Sequence, residues 1–420
     1  MCRKLLRKKK TVSEQLINTV FKVLLHRMRR YFDVKGIHAM SINLLLLVPT
    51  LKLGGQERIC AKTAELLKEY YNVFIVVFDK SDMVYHPDCE IIDLNMPARN
   101  GKWNKVCNAI RRSRALKQLR KEKSADFVYS FGTTANLVNV LSRGTGKTLI
   151  GLRGYASVNV NSYLNRYAYR RCDTIVGCAE GTCNPIRHWK PTYAEKTKCL
   201  YNPLDVAFVE KSGQNPVADY TFSPHTIVSH GRLDEVKNWP RLIKAFSIVK
   251  KDIPDARLLI IGEGEQRHQL QQLIDSYGLQ DSATLIGFRQ NPFAYLAKSS
   301  LYVLPSYSEG FPNSLVEGMV FLPTISVDCK SGPREIMSDA PIDTVAQGVE
   351  YADYGILVQP ATDRAFHAEL TKDDEILAQA ILAVLTNEEL ATKMKNAARE
   401  RAQEFSCERY REKLIEILEE

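Results

Sequence analysis

This sequence lacks any long hydrophobic run. Of its 420 residues, 45% are hydrophobic and 25% are charged, which is ordinary for a globular protein. Its apolar stretches, such as residues 42–49, are far shorter than the roughly 18–20 residues that a membrane-spanning helix needs. The composition therefore excludes a multi-pass membrane protein and a disordered chain, and the length suggests two or three domains.

The cysteines and histidines show no metal-binding pattern. The ten cysteines include no Cys-x-x-Cys, and the eight histidines do not have the spacing of a zinc site. There is also no Asp-x-Asp triplet that could hold a metal–diphosphate complex. Scattered cysteines suit a reducing compartment, and the first residues lack the apolar core of a signal peptide. We therefore expect a cytoplasmic protein that requires no metal.

The charge is unevenly distributed along the chain. Residues 1–40 contain 11 basic and 2 acidic side chains, and residues 41–205 contain 25 basic and 14 acidic ones. Residues 206–420 contain 22 basic and 32 acidic side chains, so the net charge of +10 hides a basic front and an acidic back. This asymmetry indicates an anionic partner for the first half, such as a bilayer, a nucleic acid or a phosphorylated substrate.

The first 40 residues predict a basic amphipathic helix. Six of the first ten residues are Lys or Arg, and a capping-box pattern follows at Thr11 to Glu14. Apolar residues then recur every four positions from Val12 to Met28. Such a helix can lie in the interface of an anionic membrane, so we expect residues 1–35 to hold the protein on the inner face of the cell membrane. The alternative is a helix that packs on its own protein.

From residue 41 the pattern alternates between buried strands and helices. This alternation predicts an α/β fold with two Rossmann-like, doubly wound domains that face a cleft. The predicted domains are residues 41–205 and 206–405, with a terminal helix over residues 406–420. The predicted strands are residues 42–48, 73–78, 127–129, 148–152, 174–177, 226–230, 258–262, 283–287, 301–304 and 324–327.

Candidate ligand-binding residues follow three of these strands. Gly231, Arg232 and Lys237 come directly after a strand, where open α/β sheets bind ligands, and the two cations could bind phosphate. Glu309 and Glu317 follow another strand and could accept hydrogen bonds from sugar hydroxyls. Between them lie Gly310, Phe311, Asn313, Ser314 and Leu315.

A third candidate is the Gly54-Gly55 pair between the first strand and the first helix. Paired glycines there would let backbone amides approach a diphosphate. A structural tight turn is the alternative explanation.

Together these motifs resemble those of the family 4 retaining glycosyltransferases, which have the GT-B architecture. The resemblance extends from residue 41 to about residue 405. It is carried by residues 54–58, 167–176, 201–203, 231–237, 287–288, 309–317 and 331–335. A basic extension of 40 residues is not typical of that family.

The resemblance implies a role for each site residue. Arg232 and Lys237 would bind the donor diphosphate, Glu309 the donor sugar and Glu317 the ribose. Arg153 would lie on the acceptor side. The remaining donor-binding residues implied are Gly54, Gly55, Gly231, Gly287, Phe288, Gly310, Phe311, Asn313, Ser314 and Leu315.

The implied reaction moves a hexose or N-acetylhexosamine from a nucleotide sugar, expected to be UDP-linked, with retention of configuration. The implied reaction needs no cofactor, and no nucleic-acid partner is expected. The expected acceptor is a glycan or a polyprenyl-diphosphate-linked sugar of surface polysaccharide synthesis. Two alternatives stay open, namely a sugar-nucleotide 2-epimerase of the same fold and a non-enzymatic protein that binds anionic surfaces.

Overall fold

The structure is a computed structural model that describes residues 42–362 and 369–420. The basic helix predicted for residues 1–40 lies outside the described residues. Within them, no helix is both long and apolar enough to cross a bilayer.

The first half of the chain forms a seven-stranded sheet. Its strand order is β3-β2-β1-β4-β5-β6-β7, and β1 pairs in parallel with both β2 and β4. Five residues of β1 and five of β2 are buried, as expected for a parallel sheet that is covered on both faces. The strands are β1 (Asn43–Val48), β2 (Asn72–Val77), β3 (Glu90–Asp93), β4 (Phe127–Phe131), β5 (Lys147–Leu152), β6 (Thr174–Gly177) and β7 (Thr197–Cys199).

Helices connect these strands. The connections β3 to β4, β4 to β5 and β5 to β6 all step in one direction across the sheet, whereas β1 to β2 steps in the other. Because such crossovers are right-handed, α2, α3 and α4 lie on one face of the sheet and α1 lies on the opposite face. The helices are α1 (Gly55–Leu67), α2 (Lys102–Glu122), α3 (Thr133–Leu141), α4 (Tyr163–Arg171), α5 (Glu180–Trp189) and α6 (Val206–Gly213).

A second seven-stranded sheet follows, with strand order β10-β9-β8-β11-β12-β14-β13. It is parallel except for the antiparallel pair β13 and β14 at one edge. The carboxyl ends of β8 and β11 are adjacent, which positions the loops after them. The strands are β8 (Thr226–His230), β9 (Arg257–Ile261), β10 (Ala283–Gly287), β11 (Leu301–Leu304), β12 (Thr324–Val327), β13 (Val349–Ala352) and β14 (Gly355–Val358).

The helices that pack against this sheet bury most of its apolar side chains. Trp239 and Phe246 of α7 are fully buried in the resulting core. The helices are α7 (Trp239–Asp252), α8 (Arg267–Ser276), α9 (Phe293–Leu296), α10 (Asn313–Met319), α11 (Pro333–Met337), α12 (Lys372–Leu385), α13 (Glu388–Gln403) and α14 (Cys407–Glu419).

The chain divides into two compact units. The N-terminal unit comprises the described residues up to Gly151 together with Asn161–Val176 and Arg411–Glu420. The C-terminal unit comprises Leu152–Val160 and the described residues from Gly177 to Tyr410. The domain boundaries at residues 40, 205 and 405 stay predictions from the sequence.

The α/β fold with two parallel sheets is confirmed, and all ten predicted strands are present to within two residues at their ends. The sequence did not predict β3, β7, β13 or β14. The charged amphipathic stretch at residues 388–420 forms two helices, which are separated between Gln403 and Cys407. There Phe405 turns inward against Phe311, with ring centroids 5.2 Å apart.

Candidate functional site

The carboxyl end of β8 brings the first group of predicted residues together in the C-terminal unit. Gly231 lies next to Gly262 at the end of β9, and its amide donates to the Ile261 carbonyl at 3.0 Å. A Cβ atom on Gly262 would lie 1.9 Å from the Gly231 carbonyl oxygen, so only glycine permits this approach. The tight backbone holds Arg232 and Lys237 beyond the strand end.

Lys237 and Glu309 form an ion pair across two loops. Lys237 Nζ lies 2.7 Å from Glu309 Oε1, and only 17% and 12% of the two side chains are exposed. The backbone amide of Tyr307 donates to the Val236 carbonyl at 2.8 Å, which ties the two loops together. The pair therefore presents one cation and one carboxylate at the same point.

Arg232 is oriented differently. Its side chain is 81% exposed, and its guanidinium lies 3.0 Å from the Asp234 carboxylate. The Arg232 carbonyl accepts a hydrogen bond from Trp239 Nε1 at 2.8 Å. The backbone is thus anchored by a buried indole, while the guanidinium extends into solvent.

Glu317 is buried and paired with His230. His230 Nε2 lies 2.7 Å from Glu317 Oε2, and 11% and 4% of the side chains are exposed. Glu317 lies on α10, which begins at Asn313. His230 was not predicted as a site residue, because nothing in the sequence pattern indicates which carboxylate a strand-end histidine meets.

The loop that contains Glu309 is packed against residues 153–155, which belong to the same unit. A Cβ atom on Gly310 would lie 2.6 Å from the Arg153 carbonyl oxygen, and Tyr155 N donates to the Glu309 carbonyl at 3.2 Å. Arg153 Nη1 donates to Asn202 Oδ1 at 3.1 Å, and Asn202 Nδ2 donates to Asn313 Oδ1 at 3.0 Å. Asn202 therefore links two predicted site residues, Arg153 and Asn313.

Three further predicted residues, which lie between Glu309 and Glu317 in the sequence, are in the protein interior. Phe311 and Leu315 belong to a hydrophobic core cluster, and Phe311 also contacts the ring of Tyr201. The Ser314 hydroxyl is buried as well. These side chains shape the loop from inside, and their predicted donor contacts stay predictions.

Gly287 ends β10, next to the glycines of β8 and β9. Its carbonyl accepts the Gly262 amide at 3.0 Å, so Gly231, Gly262 and Gly287 follow one another along the sheet edge. Phe288 comes next, and its side chain is 51% exposed. An exposed aromatic ring at this position could stack on a planar base.

Gly54 and Gly55 lie in the N-terminal unit, at the start of α1. The Glu57 carboxylate lies against Gly54, where a Cβ atom would be 2.1 Å from Glu57 Oε2. The absence of a side chain at Gly54 therefore makes room for Glu57.

Glu335 is a buried carboxylate. In the sequence it stands out only as part of the stretch at residues 331–335, with no role predicted for it. It accepts the amides of Glu180 at 2.6 Å and Gly181 at 2.7 Å, at the start of α5. Burial raises the pKa of Glu335, and the amide donors oppose that shift. A carboxylate at this position satisfies free amides and complements the helix dipole, which indicates a structural role.

Glu180, Cys183 and Cys199 bring potential metal ligands within 4.8 Å of one another. However, Glu180 pairs with the guanidinium of Arg187. The hydrogen bond with Cys183 and burial raise the pKa of the Cys199 thiol, which favours the protonated form over the thiolate that a metal needs. This cluster is a poor metal centre.

Comparison with known proteins gives the family context of this site. Residues 222–401 match the family described as glycosyl transferases group 1. That segment contains Gly231, Arg232, Lys237, Glu309 and Glu317.

Three relatives show how far the likeness extends. An uncharacterized glycosyltransferase of Methanocaldococcus jannaschii is 29% identical over 61% of this chain and 65% of its own length. The N-acetylgalactosamine-N,N'-diacetylbacillosaminyl-diphospho-undecaprenol 4-alpha-N-acetylgalactosaminyltransferase of Campylobacter jejuni is 26% identical over 86% of this chain and 94% of its own. The poly(glycerol-phosphate) alpha-glucosyltransferase of Bacillus subtilis is 28% identical over 53% of this chain and 33% of its own.

Solved structures confirm the fold. Anabaena Alr3699/HepE in complex with UDP has a TM-score of 0.67 at 17% identity, over 89% of this chain and 99% of its own. A glycosyltransferase from Rickettsia africae has a TM-score of 0.68 at 18% identity, over 90% and 98% of the two chains. The GT-B fold and the family resemblance that the sequence predicts are confirmed.

The geometry of the Lys237–Glu309 pair predicts a coupled effect on stability. Lys237→Met leaves a buried carboxylate unpaired and should lower the free energy of unfolding by about 3 kcal/mol. Lys237→Met combined with Glu309→Gln should recover at least half of that loss, because neither charge is then stranded. Urea denaturation of the four proteins in the double-mutant cycle measures this coupling.

Lys52 provides the matched control for this cycle. It forms an exposed pair with Asp82 at 2.9 Å, so Lys52→Met should leave the free energy of unfolding nearly unchanged. Strictly additive losses in the Lys237 and Glu309 variants would contradict the pairing.

Proposed function

We propose that the chain, whose residues 222–401 match the glycosyl transferases group 1 family, transfers a hexose or N-acetylhexosamine from a UDP-linked donor with retention of configuration. The acceptor is a glycan or a polyprenyl-diphosphate-linked sugar used in surface polysaccharide synthesis. The observation that carries this proposal is the adjacent placement of Lys237 and Glu309 at the strand ends of the C-terminal unit. The names of the Campylobacter and Bacillus relatives support the acceptor class.

The cations stabilise the departing nucleotide. Negative charge grows on the donor diphosphate as the bond to the sugar breaks, so fixed cations stabilise the transition state more than the ground state. Lys237 is held beside β8 by a tight backbone, and Arg232 adds a guanidinium that can bind phosphate in bidentate fashion. No metal is needed for this charge stabilisation, and the diphosphate itself assists deprotonation of the acceptor.

The carboxylates position the sugars. Glu309 lies 2.7 Å from the lysine that binds the diphosphate, so its free oxygen can accept hydrogen bonds from donor-sugar hydroxyls. Glu317 is held by His230 and accepts from the ribose hydroxyls. Phe288 stacks on the base, and Arg153 lies on the acceptor side. Glu309 is a positioning group in this mechanism and forms no covalent intermediate.

The basic segment at the start of the chain supports a peripheral membrane location. We propose that residues 1–35 bind an anionic bilayer surface on the cytoplasmic side of the membrane. Each basic residue near such a surface contributes about 1 kcal/mol, and six of the first ten residues are basic.

Removing the side-chain cations that bind the diphosphate should slow turnover. Lys237→Met or Arg232→Ala should lower kcat by about 10² to 10³, by analogy with the loss of an oxyanion donor. The donor is first identified as the UDP-sugar that raises the melting temperature, and the release of UDP as the sugar is transferred to acceptor lipid is then measured. Retention is checked by the anomeric configuration of the product.

Arg399→Ala is the matched control, because Arg399 is an exposed cation of the same unit paired with Glu210. It should turn over at the parental rate. Parental turnover by a variant that lacks both Arg232 and Lys237 would contradict the proposal. Conversion of the donor in the absence of any acceptor would instead favour a sugar-nucleotide epimerase.

Deletion of residues 1–35 tests the membrane assignment. A clearly smaller share of the truncated protein than of the parental chain should sediment with the membrane fraction after lysis and ultracentrifugation, while its melting temperature still rises with UDP. Unchanged fractionation would contradict the assignment of these residues.

A further inference from the structure

The N-terminal unit has an exposed apolar strip on α2. Trp103 is 84% exposed, Val106 is 51% exposed and Ile110 is 44% exposed. These residues are separated by three and four positions, so they lie on one face of the helix. Large apolar side chains that cluster on a surface indicate an interaction site, whereas single ones do not.

The same face becomes cationic towards the end of the helix. Arg114, Lys117 and Lys121 continue the spacing of the apolar residues and are exposed. The sequence of α2 contains eight basic residues and one acidic residue, Glu122. One continuous face thus has an apolar first half and a basic second half.

The opposite face fixes α2 to its own unit. Arg112 is buried, donates to the Met96 carbonyl at 3.0 Å and lies 4.1 Å above the ring of Phe78. Arg120 is fully buried and donates to the Thr145 carbonyl at 3.1 Å, and burial lowers its pKa to about 10. The inner face therefore has its own partners, and the outer strip belongs to the surface of the folded unit.

Helix α4 repeats this combination of side chains. Tyr163 is 86% exposed, Leu164 58% and Tyr167 37%. Arg166, Arg170 and Arg171 are exposed on the same helix, which contains no acidic residue. Helix α3 contacts both α2 and α4, and all three lie on one face of the sheet. The exposed residues of the two helices form what we call the α2/α4 face.

We propose that the α2/α4 face docks on an anionic lipid bilayer. Tryptophan and tyrosine favour the boundary between headgroups and acyl chains, and neighbouring lysine and arginine side chains bind lipid phosphates. A nucleic acid would explain the cations but not the exposed Trp103, Val106, Ile110 and Leu164. The residues of the α2/α4 face belong to the folded unit, and their docking on lipid requires neither residues 1–35 nor the donor chemistry.

Trp103 provides a position-specific test in the full-length chain. The other tryptophans differ in environment, since Trp239 is fully buried and Trp189 is half-buried. Vesicles of phosphatidylcholine and phosphatidylglycerol with brominated acyl chains should shift the tryptophan fluorescence to shorter wavelength and quench it. Trp103→Phe should remove most of the quenching, and Trp189→Phe should leave it unchanged.

The quenching signal also separates this face from the N-terminal segment, which contains no tryptophan. Vesicle-bound protein whose quenching is equal in the parent and in Trp103→Phe would overturn the proposal. A spectral shift caused by a short DNA duplex but not by vesicles would overturn it too.

The charged half of the face has a separate test. Arg114→Glu combined with Lys117→Glu should lower the fraction that sediments with anionic vesicles about tenfold or more. Lys393→Glu combined with Lys395→Glu, exposed cations of the C-terminal unit, should have little effect. Stabilisation by UDP should be unchanged in both variants, so a failure of the membrane inference is distinguishable from a failure of the donor site. Equal sedimentation of the two double variants would overturn the inference.

Discussion

The ion pair between Lys237 and Glu309 is the interaction on which the candidate site depends. It joins the loop after β8 to the loop after β11, and both side chains are largely removed from solvent. An unpaired charge at this depth would be costly, so each side chain fixes the position of the other. The second pair, His230 with Glu317, fixes a carboxylate on α10 in the same way. The ion pair and the His230–Glu317 hydrogen bond, at neighbouring strand ends, thus form a preorganised polar site.

The backbone around these pairs is as important as their charges. A side chain at Gly262 or Gly310 would collide with a carbonyl oxygen of the adjoining segment. Those close approaches hold the end of β8 against the end of β9, and the Glu309 loop against residues 153–155. The charge distribution has a different consequence, because the excess of basic residues lies before residue 206. The second half of the chain is acidic overall and still holds two local cations, Arg232 and Lys237, just beyond a strand end.

The sequence predicted the central strands because each contains a short apolar segment, which in β1 and β2 is a continuous run of five residues. It did not predict β3, whose four residues begin with Glu90 and end with Asp93 at the sheet edge, where only one neighbour supplies hydrogen bonds. The sequence predicted that four site residues follow strands, namely Arg232, Lys237, Glu309 and Glu317. Their partners were not, since Lys237 and Glu309 are 72 residues apart and His230 and Glu317 are 87 apart. Such pairings depend on the strand order β8-β11, which local pattern does not specify.

Calorimetric titration of UDP and of uridine tests the central claim most directly. If Arg232 and Lys237 bind the diphosphate, UDP binds the parental protein much more tightly than uridine does. The Arg232→Ala and Lys237→Met double variant should then bind the two ligands with similar affinity and keep its affinity for uridine. A double variant that still prefers UDP by the parental ratio would show that the diphosphate is bound elsewhere.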